Sequence, residues 1–254
     1  MFERVIVSVE GGAGDADTVA LSQLLVAPEG TVIPAENAEG RPVPAALHHA
    51  AVEHEADLIV VCCAEHGVLG GIRARHQVVA TLRCAPCAVA VAPQGFAAAP
   101  RAVTRVGVGY DGGPHAQVAL DAAKTIAARM GARVHALAVA APPHAIVSPI
   151  GISAVAALEA ERDRTEQSIA RLAPGIVGRA VDGIPHQRLA EFSADVDLLV
   201  IGSSGRSAIG RVLLGSTSEV LSHEARCPLL VVPAPASSRS ASTRPDQPAS
   251  APVA

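Results

Sequence analysis

Three glycines and two hydroxyl residues stand between two apolar segments late in the sequence. Gly202 and Gly205 are separated by two residues, Gly205 and Gly215 by nine, and Ser216 and Thr217 follow directly. Because glycine has no Cβ, such a loop can bring backbone N–H groups close to a phosphate chain. The pattern Ser-x-x-Glu from Ser216 predicts a capping box, and a helix N-terminus there would favour bound anions. We therefore predict a nucleotide-binding loop; the alternative is a glycine-rich turn that only permits tight packing.

The residues on either side of this loop place it between strand and helix. L-L-V-I precedes Gly202 and C-P-L-L-V-V-P ends at Pro233, and both segments are predicted buried strands. The pattern is not a P-loop, since no Gly-Lys-Ser/Thr sequence closes it. In this setting the motif resembles the nucleotide loop of the universal stress protein family, and the resemblance covers nearly all of residues 102–234. It implies a Rossmann-like fold of the adenine nucleotide alpha hydrolase type, with strand order 3-2-1-4-5.

The composition favours a reduced, globular protein. Half of the 254 residues are hydrophobic, 17% are charged and only 2% are aromatic, so the core must be built from Val, Ala, Leu and Ile. A net charge of -4 without a long basic run argues against a nucleic-acid partner. We expect no membrane partner, because no apolar run reaches about 18 residues. Five cysteines, an odd number, and no recognisable signal peptide favour a cytoplasmic location.

An internal repeat predicts two domains. The matched segments are Arg4–Gly12 with Arg105–Gly113, Asp57–Val61 with Asp197–Ile201, and Cys87–Pro93 with Cys227–Pro233. The offset grows from 101 to 140 residues, so the first half lacks about 39 residues, which we interpret as the second strand and its helix. We predict a truncated domain over residues 1–97, a complete domain over 102–235, and a disordered Ser/Ala/Pro-rich tail over 236–254.

Alternating strands and helices predict an α/β fold with doubly wound parallel sheets. In the second half, strands are predicted at Arg105–Tyr110, Arg133–Ala140, Gly175–Val181 and Asp197–Ile201, with helices at Ala116–Met130, Ile152–Leu172 and Pro185–Ala194. In the first half, helices at Asp15–Val26 and His48–Glu55 flank a strand at Thr31–Pro34. This order implies βαβ units.

The predicted site lies where strand order reverses, beyond the carboxyl ends of the strands. Asp111 and Gly202 end the two strands that flank this point, so both should face one crevice. The candidate phosphate-binding residues all lie in or just after the loop: Gly202, Gly205, Arg206, Gly215, Ser216 and Thr217. Asp111 would accept hydrogen bonds from ribose hydroxyls, or else cap the next helix. Arg206 would pair with phosphate, or else be solvated.

Two further residues near this crevice have weaker assignments. The family resemblance implies that Val139, at the end of the second strand, meets the adenine base; the alternative is a plain core valine. His115 is interpreted as a solvated surface histidine. We find no clear general base and no Ser/His/Asp arrangement, and the site is predicted to contain no resident metal ion.

The loop of the first half is predicted to be disabled. The counterparts of Gly202, Gly205, Gly215 and Ser216 are Cys62, Glu65, Arg75 and His76. A carboxylate such as that of Glu65 would oppose phosphate binding, because two like charges about 4 Å apart repel by about 4 kcal/mol at an effective dielectric constant of about 20.

The first half also holds four of the five cysteines: Cys62, Cys63, Cys84 and Cys87. The Cys84-x-x-Cys87 pattern permits a zinc or redox site. It closes a helix before a strand, however, whereas redox motifs usually open a helix after one. Cys227, the counterpart of Cys87, has no paired cysteine, which favours a structural role.

The family resemblance implies that the second half binds ATP or a related adenine nucleotide, with or without Mg²⁺. Action through ligand-dependent conformation or assembly is expected, rather than turnover. One alternative is slow ATP hydrolysis or self-phosphorylation on Ser203, Ser204 or Ser216. The other is a dimerisation scaffold without nucleotide.

The last strand of each half is predicted to join the halves. Val89–Ala92 and Leu229–Val232 are short and apolar, and each is expected at a sheet edge whose unpaired backbone groups favour pairing. We predict an intramolecular pseudo-dimer through these strands, and leave further homo-oligomerisation open.

Overall fold

Strands and helices alternate along the chain, as the sequence predicts. The computed structural model describes residues 1–12, 14–36, 43–63, 67–98, 102–141, 154–203 and 215–233. The strands are β1 Phe2–Val9, β2 Val26–Glu36, β3 Leu58–Cys63, β4 Ala88–Pro93, β5 Arg105–Gly109, β6 Arg133–Ala140, β7 Val177–Asp182, β8 Leu198–Gly202 and β9 Leu229–Val232. The helices are α1 Asp15–Leu25, α2 Val43–Glu53, α3 Gly67–Leu82, α4 Pro114–Met130, α5 Ala154–Ala170, α6 Pro185–Phe192 and α7 Ser216–Glu224. The predicted tail, residues 236–254, lies outside the described residues.

All these strands belong to one sheet, in the order β2-β1-β3-β4-β9-β8-β5-β6-β7. Every neighbouring pair is parallel except β4 with β9. The second half runs β7-β6-β5-β8-β9, which confirms the expected order 3-2-1-4-5. Strand β5 therefore lies between β6 and β8, and the strand order reverses beside it.

The first half is shorter at a different place from the one predicted. Strand β2 pairs in parallel with β1, with Val5 opposite Val32 and Val7 opposite Pro34. It thus takes the place beside β1 that β6 takes beside β5. The outer place held by β7 has no counterpart in the described first half, so the interpretation of a missing second strand is wrong. Val5 and Val7 are fully buried or nearly so, and β2 covers the side of β1 away from β3.

Strands β4 and β9 join the two halves, which confirms the predicted pairing. They run antiparallel, with Val89 opposite Val231 and Val91 opposite Leu229. These four side chains are at most 4% exposed. Two strands that would otherwise be sheet edges are therefore interior, and no backbone groups along the paired segment are left open for another chain.

Two apolar layers cover the faces of the sheet. On one face, α1 and α4 pack through residues such as Leu21 and Ile126. On the other face, α2, α3 and α7 contribute Leu47, Leu82 and Leu221. The buried residues are dominated by Val, Ala, Leu and Ile, as the low aromatic content predicts. Strands covered on both faces are uniformly apolar, so polar side chains gather at the strand ends.

The repeated aspartates Asp57 and Asp197 have the same structural role in the two halves. The Asp57 carboxylate accepts hydrogen bonds from the amides of Glu3 and Arg4 at 2.8 and 3.0 Å. The Asp197 carboxylate accepts them from Thr104 and Arg105 at 2.8 and 2.9 Å. Each aspartate fixes the start of a first strand, β1 or β5, beside its neighbour. Within the described residues, no helix is both long and apolar enough to cross a membrane.

Candidate nucleotide-binding cleft

A cavity of about 250 Å³ opens at the carboxyl ends of β5, β6 and β8. Its walls also include the first residues of α4, α6 and α7. Four of the residues proposed from the sequence line it: Asp111, Val139, Gly202 and Thr217. The structure therefore brings these residues together at the point where strand order reverses, and their roles toward a ligand stay predictions.

Asp111 closes the turn between β5 and α4. Its Oδ1 accepts a hydrogen bond from the Gly113 amide at 2.8 Å, and Gly112 has φ +77°, a conformation that favours glycine. The N-cap residue of α4 is Gly113, and Pro114 occupies the first turn. Asp111 thus acts on the turn ahead of the helix rather than as its N-cap, and it also lines the cleft.

Gly202 is required by helix packing. A Cβ at this position would lie 2.3 Å from the carbonyl oxygen of His115 and 2.6 Å from its carbonyl carbon. The glycine motif predicts a close approach by phosphate at this position. The close approach of α4 to the end of β8 already demands it.

The predicted capping box from Ser216 is not formed at the end of the glycine loop. Gly205 and Arg206 lie outside the described residues. Gly215 is the N-cap residue of α7, with φ −84° and ψ 162°, and no side chain caps the helix. Ser216 is already the first helical residue, so it stands one position too late to serve as N-cap.

The glutamate of the expected capping box has another partner. Glu219 lies 3.5 Å from Arg83, which follows α3 in the first half. Within the described part of the chain, no side chain caps the first amides of α7. Beside them, Thr217 and the buried Ser218 line the cavity, whereas Ser216 is exposed and does not. Ser218 was missed because a serine inside a helix carries no sequence signal for ligand binding.

Val139 lies between the core and the cavity, and its contact with an adenine base stays a prediction. It lies half-buried on β6 opposite Val181, packs against the core and lines the cavity. Three other apolar side chains share this wall, namely Leu137, Leu189 and Ile201. The sequence does not distinguish them, because buried apolar residues follow the same pattern whether or not they face a cleft.

His115 is not the solvated histidine that was expected. It is the second residue of α4, is partly buried and lines the cavity. Its Nδ1 is buried and finds no hydrogen-bond partner among the residues that the structure describes. Only the packing of α4 against Gly202 reveals this, since spacing along the sequence does not.

The counterpart of the glycine loop in the first half is largely helical. The repeat aligns Ser216, where α7 begins, with His76, but α3 begins nine residues earlier at Gly67. Arg75 and His76 are therefore helical residues, and the prediction that they lie in a loop over the cleft is wrong. Glu65 lies outside the described residues.

The first turn of the first half already holds a carboxylate. Asp15 accepts hydrogen bonds from the amides of Glu10, Gly11 and Gly12 at 3.0, 2.8 and 3.2 Å. The repeat aligns Asp15 with Ala116, which has no such group. These amides are therefore occupied in the first half, which disfavours an additional anion there.

The cysteines show the features of structural residues. Burial raises the pKa of Cys62, Cys87 and Cys227 to about 12, so their thiolates are scarce near neutral pH. Cys84 is exposed in the turn between α3 and β4. The described part of the chain contains no group of three or more His, Cys, Asp or Glu residues that could hold a metal ion.

The largely parallel sheet and the cleft at its strand-order reversal define an α/β protein of the Rossmann-like class. Residues 102–233 match the universal stress protein family. The chain belongs to this family, as its glycine motif predicted.

Individual relatives agree with this assignment. A universal stress protein of Mycobacterium tuberculosis is 29% identical over 201 residues, which cover 75% of this chain and 65% of the relative. The match thus spans just under two thirds of that protein. One from Thermus aquaticus is 34% identical over 128 residues, 48% of this chain and 93% of the relative. The solved universal stress protein of Archaeoglobus fulgidus has the same fold, with a TM-score of 0.55 and 15% identity, covering 91% of this chain and 98% of that one.

Proposed function

We propose that the second half binds ATP or a closely related adenine nucleotide, and that the protein acts through ligand-dependent conformation or assembly. The observation that carries this proposal is the cleft itself. It combines the Asp111 carboxylate on one side with the uncapped N-terminus of α7 on the other. A helix N-terminus without a side-chain cap presents free amides to an anion.

The cavity has groups of suitable chemistry for the base, the ribose and the phosphates of a nucleotide. Leu137, Val139 and Leu189 offer an apolar surface to a base. Asp111 can accept from ribose hydroxyls, and Thr217 with the α7 amides can donate to phosphate oxygens. Among the described residues that line the cavity, Asp111 is the one carboxylate. A Mg²⁺ ion would therefore be held mainly by phosphates and water.

For the enzymatic alternative, self-phosphorylation, the exposure of each serine limits which of them could accept a phosphoryl group. Ser203 is 1% exposed and its amide donates to the carbonyl of Val232, so its hydroxyl is a poor phosphate acceptor. Ser204 lies outside the described residues. Ser216 is exposed at the start of α7 and is the candidate acceptor that the geometry favours.

The proposal is tested by calorimetric titration of the full chain with ATP and GTP. We expect one ATP per chain and weaker binding of GTP. Gly215→Glu should abolish ATP binding, because it places a carboxylate where phosphates approach. The backbone at Gly215 is one that any residue adopts, so the free energy of unfolding should change little. Gly215→Ala is the matched control without charge.

Three outcomes distinguish the candidate functions. A folded wild-type chain that binds no ATP contradicts the proposal and favours the scaffold. Unchanged affinity in Gly215→Glu would exclude phosphate binding at α7. A mass increase of one phosphoryl group after incubation with Mg²⁺ and ATP, lost in Ser216→Ala, would support self-phosphorylation.

A further inference from the structure

The His115 side chain has a position at the cavity that the sequence does not predict. Its backbone carbonyl packs where Gly202 lacks a side chain, and this contact fixes the start of α4 against the end of β8. His115 lines the cavity, yet the buried Nδ1 of its ring has no hydrogen-bond partner among the described residues. Buried polar atoms without a partner are uncommon in folded proteins, so the arrangement requires an explanation.

The burial of Nδ1 determines which ring nitrogen of His115 is available to a ligand in the cavity. In a neutral imidazole, one nitrogen carries the proton and the other accepts. A buried N–H group without an acceptor is rarer than a buried acceptor without a donor. We therefore assign the proton to Nε2, which leaves the lone pair on the buried Nδ1. The part of the ring that remains for the cavity then carries an N–H donor.

The surroundings of the ring suit an anion. His115 lies beside Gly202 and lines the same cavity as Thr217, the second residue of α7. The first amides of α4 are also near, since Gln117 is the first residue of this helix whose amide bonds back, to the Gly113 carbonyl. A donor among two helix N-termini matches a phosphate oxygen better than a base.

We propose that His115 donates a hydrogen bond from Nε2 to a phosphate oxygen of the bound nucleotide, and so makes the cleft select phosphorylated ligands over nucleosides. This inference rests on the proposed function. The first half offers no equivalent group, because the repeat aligns His115 with Gly14.

Two substitutions separate the donor from the bulk of the ring. His115→Gln keeps an N–H donor at about the reach of Nε2, whereas His115→Leu keeps much of the volume without a donor. We expect His115→Leu to lower ATP affinity about tenfold and His115→Gln to lower it less than about threefold, as for one hydrogen bond to a charged group. Adenosine should bind equally to all three proteins. Thermal unfolding of each variant checks that the fold is kept.

The outcomes separate this proposal from the proposed function. Wild-type chain that binds neither ATP nor adenosine overturns both. ATP binding that is equal in wild type and His115→Leu overturns the role of His115 alone, as does an equal loss of ATP and adenosine, which would indicate packing. Nitrogen-15 NMR of the ligand-free protein adds a test without nucleotide, with His115→Gln identifying the resonance. An Nδ1–H tautomer for His115 would overturn the proposal.

Discussion

At the scale of single residues, the cleft depends on side chains with two roles. Asp111 bonds to the Gly113 amide through one oxygen and can bind a ligand with the other. Gly202 ends β8 at the cleft and also leaves room for the backbone of His115. Functional and structural explanations are therefore not exclusive at these positions, and a substitution must be chosen to separate them.

Substitution of Asp111 can make this separation. Asn at this position retains an oxygen for the Gly113 amide but lacks the second anionic acceptor, whereas Ala lacks both. We expect Asp111→Asn to reduce ATP affinity about tenfold with little change in the free energy of unfolding. Asp111→Ala should reduce affinity similarly and also destabilise the chain by about 1 kcal/mol. Calorimetry and denaturant unfolding measure the two effects, and full ATP affinity in both variants would remove Asp111 from the site.

At the scale of elements, the two halves contain similar strands but differ in how the outer strands pair. The apolar segments and glycine turns predicted the order of the second half, because buried parallel strands and helix ends have strong local signals. The place of β2 beside β1 was not predictable in this way. Its apolar residues predict a strand, but the place of that strand in the sheet depends on its pairing with the open side of β1.

The start of α3 likewise could not be predicted from the spacing of residues along the sequence. Residue spacing aligned Arg75 and His76 with the loop that precedes α7, but the early start of α3 makes them helical. The cleft itself was predictable at Asp111, Gly202 and Thr217, because strand ends and a glycine loop mark it. His115 and Leu189 were not, because their exposure to the cavity arises from how helices pack on the sheet.

The repeated aspartate at the start of β8 gives a prediction for pH. Partial burial favours the neutral form of Asp197, but bonds from the Thr104 and Arg105 amides outweigh this and hold its pKa below the usual value. A lowered pKa in the folded state adds stability above the unfolded pKa of about 4, and this is lost as the pH falls through the folded pKa.

Asp197→Asn should therefore destabilise the protein by about 1 kcal/mol near neutral pH, a low value because the carboxylate is partly exposed. The difference from wild type should shrink below about pH 4. Denaturant unfolding at several pH values measures this. Asp195→Asn, which alters an exposed carboxylate two residues away, is the control. A difference that is constant from neutral to acid pH would show that the charge of Asp197 does not act through these amides.

At the scale of the whole molecule, strand pairing and polar contacts connect the two halves within the described residues. Strands β4 and β9 pair, and Arg83 meets Glu219 near the start of α7. Arg129 of α4 also donates a hydrogen bond to the carbonyl oxygen of Val26, where β2 begins. Within the first half, the buried carboxylate of Asp17 accepts hydrogen bonds from the amides of Gly95 and Ala97 at 2.8 and 2.7 Å, and so holds the segment that follows β4. A ligand that moves α7 would therefore act directly on contacts with the first half. This supplies a physical route for ligand-dependent conformation.

The pairing of β4 with β9 predicts which engineered cysteines can cross-link. In a chain whose native cysteines are replaced by alanine, Val89→Cys with Val231→Cys should form a disulfide within one chain, because these residues are directly opposite. Val91→Cys with Val231→Cys is the matched control on the same strands. Val91 faces Leu229, so its distance to Val231 is diagonal, about 7–8 Å between Cα atoms, and too long for an unstrained disulfide. Non-reducing electrophoresis and peptide mass mapping after mild oxidation measure both pairs. Cross-links found only between chains, or formed equally by the control pair, would contradict the intramolecular register and with it the continuous sheet that links the cleft to the first half.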